Sequence, residues 1–330
     1  MHPCLVYLIP GVLLCTLLFS LLLKKADMPR SAAWTTLLAG AVLGFVMSKL
    51  VYVLCLISRL YPRYGMGAFT RMTLTEFSFV GGALGAVLGA VLCAGVHRIP
   101  VKKMLDVFAP VGALLAAWVK GGEYFLDMHG VGAYLENESL YFFPLAVKNE
   151  WDEYFLAVFM IYAIFALIVA VISLAFSSRR EGSSKMPGLN FCLTSYHLAI
   201  ILILCENLRV QTIKWGFVKA EQLFGALILL SILLPLCIRA YRKSPMHTDG
   251  PTSALTMENG KLKKKNTHAS FIGCFWPVAA LFLCAGLLIV VEFALDGKIA
   301  MGQTAAYGLM ALTLAAMSLL GLFTARRVAR

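Results

Sequence analysis

Long apolar runs separated by short polar segments make up most of the chain. Nine runs reach the roughly 20 residues that an α-helix needs to cross a hydrocarbon core. They lie near 3–23, 33–58, 77–97, 104–125, 154–177, 188–206, 218–240, 270–292 and 301–323. Neither the alternation of a membrane β-barrel nor a soluble domain appears between them. The pattern predicts an all-α, polytopic membrane bundle in three parts: a seven-span core over 1–242, a basic linker over 243–269, and a two-helix extension over 270–330. Residues 3–23 share only apolarity with a signal peptide. They lack a positive leading segment and a small-residue cleavage site, and read as a retained first helix.

Composition agrees with lipid as the main solvent: 60% of residues are apolar and 14% charged, against about 45–50% and 25% in soluble domains. The net charge of +12 does not point to nucleic acid, because the cations are spread over short loops with no basic groove. With the N-terminus outside and the C-terminus inside, 19 of the 29 Lys and Arg residues fall on the inner side, as the positive-inside rule requires. The nine cysteines form no CxxC pair and suit apolar packing, so neither a metal nor any cofactor is expected. Two connections stand out. The outer segment 126–153 is acidic and aromatic (YLENESLYFFPLAVKNEW) and reads as a lid or arm at the interface. The inner segment 243–269 carries KLKKK and reads as a flexible linker drawn to anionic headgroups.

A few charges lie inside the runs: Lys49 in the second, Lys120 and Glu123 in the fourth (AAWVKGGEYF), and Glu206 and Arg209 ending the sixth. Such charges cost about 2.5–3.5 kcal/mol at mid-bilayer and face a partner or a wet cavity. Lys120–Glu123 and Glu206–Arg209 are spaced i, i+3, so each pair shares a helix face and can neutralise itself. Three helices bringing cations to one depth instead suit an anionic lipid phosphate. Gly81, Gly82 and Gly122 would let backbone approach a headgroup, although small-xxx-small packing is the commoner use of Gly85 and Gly89. His129, in MHGVG, reads as a solvated loop residue, and His197 as a hydrogen-bond partner to a neighbouring helix.

The order of these features resembles a known family. GFVMSKLVYVL, EFSFVGGALGAVLG, LDVFAPVGALLAAWVKGGEYF, CENLRVQ and AEQLFGALIL are together similar to the prolipoprotein diacylglyceryl transferases of bacterial inner membranes, over roughly 33–240. The resemblance implies transfer of the diacylglyceryl group of phosphatidylglycerol to the thiol of a lipobox cysteine, with glycerol phosphate released. Its partners would be phosphatidylglycerol or another anionic phospholipid, and lipoprotein precursors. Glu206 and Arg209 match the family's E-x-x-R, Gln222 its glutamine before the seventh span, and Lys49 its second-span cation in kind. The last two runs have no counterpart.

Three positions depart from the pattern. Val80 stands where a His precedes the paired glycines, Lys120 where an Arg is expected, and Glu123 where an Asn is expected. Lys120 can hold a phosphate as a point charge rather than a bidentate fork. An ionised Glu123 repels phosphate and weakens Lys120, or acts as a base. The expected catalytic set is Lys120, Glu123 and Arg209, and the expected lipid contacts are Lys49, Gly81, Gly82, Gly122, Glu206 and Gln222. Two functions stay open: a divergent transferase, and a degenerate relative that binds lipid or lipoprotein precursors as a membrane scaffold. A proton-coupled transporter using Glu123 and Glu206 lacks detectable repeat symmetry.

Overall fold

A computed structural model describes residues 2–126, 128–178, 187–215, 218–242, 255–258, 261–264, 276–277, 279–288, 290–291 and 303–329. Among them, seven helices are long and apolar enough to cross a membrane. They are α1 (Pro3–Lys25), α2 (Ser31–Cys55), α5 (Phe79–Val96), α6 (Val101–Gly122), α7 (Val158–Ser178), α8 (Leu189–Leu208) and α11 (Gln303–Ala329). Short helices α3 (Ile57–Tyr64) and α4 (Gly67–Thr70) join α2 to α5. The seventh run forms α9 (Ala220–Arg242). Of the eighth run, the described helix α10 is short, Ala279–Leu288. The chain belongs to a multi-pass helical membrane class, as its runs predict.

Two compact units divide the chain at Leu227 and Ile228, inside α9, whereas the change in sequence character falls at 242. In the second unit, Leu281, Met310, Leu314 and Met317 are buried. The basic linker is not structureless throughout: Leu255–Glu258 pairs antiparallel with Lys261–Lys264, and the rest of 243–269 lies outside the described residues.

In the first unit the helices turn apolar side chains outward, as lipid demands. Leu5, Ile9, Leu13, Leu17 and Leu21 of α1 are exposed, while Cys15, Phe19 and Leu23 are buried. Bilayer helices associate through close packing and polar contacts, because lipid tails are as apolar as leucine. The α2–α5 contact shows this. A Cβ at Gly81 would meet the Met47 carbonyl oxygen at 2.5 Å, one at Gly85 would overlap the Leu43 carbonyl, and one at Gly89 would meet the Gly40 nitrogen at 2.6 Å. Nothing but glycine lets these backbones approach so closely.

α6 and α8 are the most enclosed spans. At one end, Asp106 of α6 accepts hydrogen bonds from the Gly188 and Phe191 N–H groups, at 2.6 and 3.0 Å, capping α8. Asn190 donates to the Asp106 carbonyl and to Ser177, and accepts from Ser173, which joins α6, α7 and α8. At the other end, α6 gives way to a 3-10 turn, Glu123–Phe125. The acidic segment that follows is an ordered arm. It holds a second 3-10 turn, Glu138–Leu140, and a hairpin of β1 (Ala146–Lys148) and β2 (Tyr154–Leu156). The hairpin tip places Trp151 outward, 81% exposed.

The glycine seam predicts opposite effects from one chemical change. Gly85→Ala should destabilise by about 1–3 kcal/mol through overpacking. Gly95→Ala, on the same helix with nothing near its added Cβ, should be neutral or stabilising by up to about 1 kcal/mol. Unfolding curves in detergent micelles check the order, and equal effects at both positions would disprove the seam.

Candidate active site

The site lies where α6, α8 and α9 end or begin, beneath the arm. Lys120 sits in the last turn of α6, 3% exposed. Its Nζ is 2.7 Å from Glu123 Oε1 and lies over the rings of Phe79 and Tyr162, 4.6 and 5.4 Å from their centroids. Arg209 follows the last residue of α8 and turns into extended backbone. Its guanidinium stands among three carboxylates: Glu206 at 3.4 Å, Glu221 at 3.7 Å and Glu123 at 4.0 Å. Glu221, in the first turn of α9, also accepts the Phe79 N–H at 3.2 Å and so ties α9 to the start of α5. Lys219 donates to the Glu206 carbonyl and to Asn207 Oδ1.

Three carboxylates therefore meet Lys120 and Arg209, and Lys219 adds a third positive charge nearby, so the formal charges balance. Balance is what burial requires, since an unpaired charge in a low-dielectric interior costs several kcal/mol. Hydrogen bonding is nevertheless incomplete. Glu123 Oε2, Glu206 Oε1, Arg209 Nε, Glu221 Oε2, Gln222 Oε1 and His129 Nδ1 are buried without a hydrogen-bond partner, a concentration that suits a site built for a polar guest.

A strap, residues 128–132, covers the cluster. Gly130, with φ +82°, lies so close to Glu123 that a Cβ there would overlap Oε2. Both the backbone conformation and this contact demand glycine. Gly132 forms a β-bridge with Arg209, and its N–H donates to the Leu156 carbonyl at 2.8 Å. The Val210 N–H donates to the Val131 carbonyl at 3.2 Å. The strap, the 3-10 turn and the hairpin border an open cavity of about 470 Å³, whose lining includes Glu123, His129, Lys148, Glu150 and Trp151. His129 is therefore a cavity residue and not a solvated loop residue. Burial pushes its imidazole below the ordinary histidine value, Glu123 opposes this, and Arg209 and Lys120 add to it.

Of the residues expected from sequence, Lys120, Glu123, Glu206 and Arg209 come together. Gln222 is buried beside Glu221. Lys49 instead pairs with Glu76 at 3.0 Å, which also takes Arg71 at 3.1 Å. Desolvation raises the Glu76 pKa, but these cations outweigh it and hold the carboxyl below its usual range. The glycine pairs do not offer N–H groups to a headgroup. Gly81 N–H donates to Ser78 Oγ and Gly82 N–H to the Ser78 carbonyl, because both lie in the capped first turn of α5. Gly121 and Gly122 admit Tyr7 of α1, whose hydroxyl would lie 2.8 Å from a Cβ at Gly121. Val80 is sealed in apolar packing with Ala113, Ala117 and Cys205. His197 Nδ1 lies 2.7 Å from the Leu193 carbonyl of its own helix. Glu221 was not anticipated, although a carboxylate opening an apolar run is the same signal that marked Glu206.

The family model described as prolipoprotein diacylglyceryl transferase matches residues 5–238, a span that contains the whole cluster. No curated protein matches the chain significantly.

Removing the central cation tests the charge accounting. Arg209→Ala leaves Glu123, Glu206 and Glu221 facing one another and should cost about 3–5 kcal/mol. Adding Glu206→Gln should recover part of that loss. Unfolding midpoints of the single and double variants measure both, and a double variant no more stable than Arg209→Ala would exclude mutual compensation.

Proposed function

Because the chain belongs to the prolipoprotein diacylglyceryl transferase family, a family of transferases acting in lipoprotein biosynthesis, we propose that it moves a diacylglyceryl group from phosphatidylglycerol to the thiol of a lipobox cysteine. The observation that carries this reading is the meeting of Lys120 and Arg209 at one carboxylate, Glu123. Two cations brought within reach of a single anionic group from separate helices also suit a phosphate. The entering phosphate takes the position of the Glu123 carboxylate between them, and Glu123 turns towards the cavity. Lys120 and Arg209 then stabilise charge as the glyceryl C–O bond breaks and the leaving phosphate keeps the electron pair. Glu206 and Glu221 hold the guanidinium in place, and Gln222 offers a neutral polar contact. The lipid enters from the membrane and the peptide from the outer side, with the N-terminus outside, the C-terminus inside, and the protein in a bacterial inner membrane.

One observation favours a second reading. Glu123 already occupies Lys120, and Val80 leaves apolar surface where the family pattern has an imidazole. A relative that has lost chemistry would keep the cluster for lipid or lipoprotein-precursor binding alone, as a membrane scaffold.

Purified protein in bilayers containing phosphatidylglycerol labelled in its diacylglyceryl part, mixed with a lipobox peptide bearing one cysteine, separates the two. The expected result is label on the peptide, with Lys120→Ala and Arg209→Ala reduced by about 100-fold or more. Unlabelled peptide alongside lipid binding that weakens in both variants would establish the scaffold reading.

A further inference from the structure

We infer that His129 is the proton acceptor for the incoming thiol, and that Glu123 stabilises the imidazolium that forms, so that a carboxylate and an imidazole work at one cavity. The inference rests on the transfer reading above and assigns a step that reading left open.

Three observations carry it. His129 and Glu123 line the same cavity of about 470 Å³. Nδ1 of His129 is buried with no hydrogen-bond partner, and so is Oε2 of Glu123. The residue after His129 in the strap is Gly130, which lies so close to the carboxylate that an added Cβ would overlap Oε2. The strap is also held from both sides, by the Phe159 N–H to the Gly130 carbonyl at 3.2 Å and by Gly132 against Arg209. The imidazole is thus carried on fixed backbone and not on a free loop.

The charged groups that act on His129 come from every neighbouring element. They are Glu123 from the 3-10 turn, Lys120 from α6, Arg209 from the end of α8 and Glu221 from α9. Lys148 and Glu150 share the cavity from the hairpin, and Lys148 is engaged with Asp152 at 2.8 Å. Burial and the two cations keep the imidazole neutral at neutral pH, which is the form that accepts a proton. Of the surrounding charges Glu123 acts most strongly, and it favours the imidazolium that results.

The step balances. The thiol proton passes to the imidazole, and the sulfur electron pair forms the C–S bond at the glyceryl carbon. The C–O bond to phosphate breaks, and its pair leaves with glycerol phosphate. The imidazolium then returns its proton to the departing phosphate or to water, and no oxidant or reductant is needed.

The test uses the full chain in phosphatidylglycerol nanodiscs and follows His129 by 15N NMR, assigned by its loss in His129→Gln, alongside the labelled transfer assay over a range of pH. In the wild type, transfer should fall as pH drops through the His129 titration, because the imidazolium accepts no proton. Glu123→Gln should weaken proton affinity at His129 about tenfold and carry the acid limb of the rate to lower pH. His129→Ala should lose about 100-fold or more in turnover with little change in KM for the peptide, and added imidazole should restore part of it. His129→Gln, which keeps polar bulk, should be as slow as His129→Ala. Unchanged turnover in either variant of an active enzyme, or a His129 titration indifferent to Glu123→Gln, would overturn the pair while leaving the transferase reading intact. A wild type that labels no peptide would overturn that reading and the inference with it.

Discussion

Ionised side chains cannot be left alone in an apolar bundle, and Arg209 is where this chain meets that constraint. Its guanidinium lies within 4.0 Å of three carboxylates, supplied by the turn after α6, the end of α8 and the start of α9. Each partner is itself tied to something else. Glu123 pairs with Lys120, and Glu221 accepts the first N–H of α5. The ion cluster therefore fixes the relative placement of four helix termini, and the strap that covers it is shaped to the Glu123 carboxylate by Gly130. A buried ionic network of this kind is weak evidence for stability in itself, since apolar replacements of similar shape often do as well.

The two ends of the bundle use polarity differently. At the Asp106 end, carboxylate, amide and hydroxyl groups satisfy one another and lock α6, α7 and α8. At the Lys120 end, six buried polar atoms lack a hydrogen-bond partner and a cavity opens beside them. A satisfied network specifies a fold, whereas an unsatisfied one beside a cavity suits binding. Between the two, glycine seams bring α2 onto α5 and α1 onto α6, so the enclosing helices approach closely.

The departures from the family pattern become coherent in this setting. Replacing a neutral side chain with Glu123 adds a negative charge, which Lys120 and Arg209 balance in the resting state. Val80 belongs to the apolar packing between α5, α6 and α8, where an imidazole would need a partner. A histidine of the strap, His129, instead lines the cavity together with that carboxylate.

Much of this was legible from residue order alone. Apolar run length set the helices, because the hydrocarbon thickness sets a minimum that local chemistry cannot evade. The expense of intramembrane charge singled out Lys120, Glu123, Glu206 and Arg209, and the i, i+3 spacing paired them correctly within each helix. What spacing could not reveal was pairing between helices. Lys49 has the same signature as Lys120, yet a loop carboxylate, Glu76, claims it. Gly81 and Gly122 have the composition of a headgroup-approach site, yet their neighbours are α2 and Tyr7. His129 lies in a segment whose sequence is that of any polar loop, and its Nδ1 is buried because the strap bonds to residues more than 20 positions away, Leu156 and Val210. The cost of burying a charge is a property of the residue and can be read from sequence. The partner that offsets the cost is a property of the packed chain.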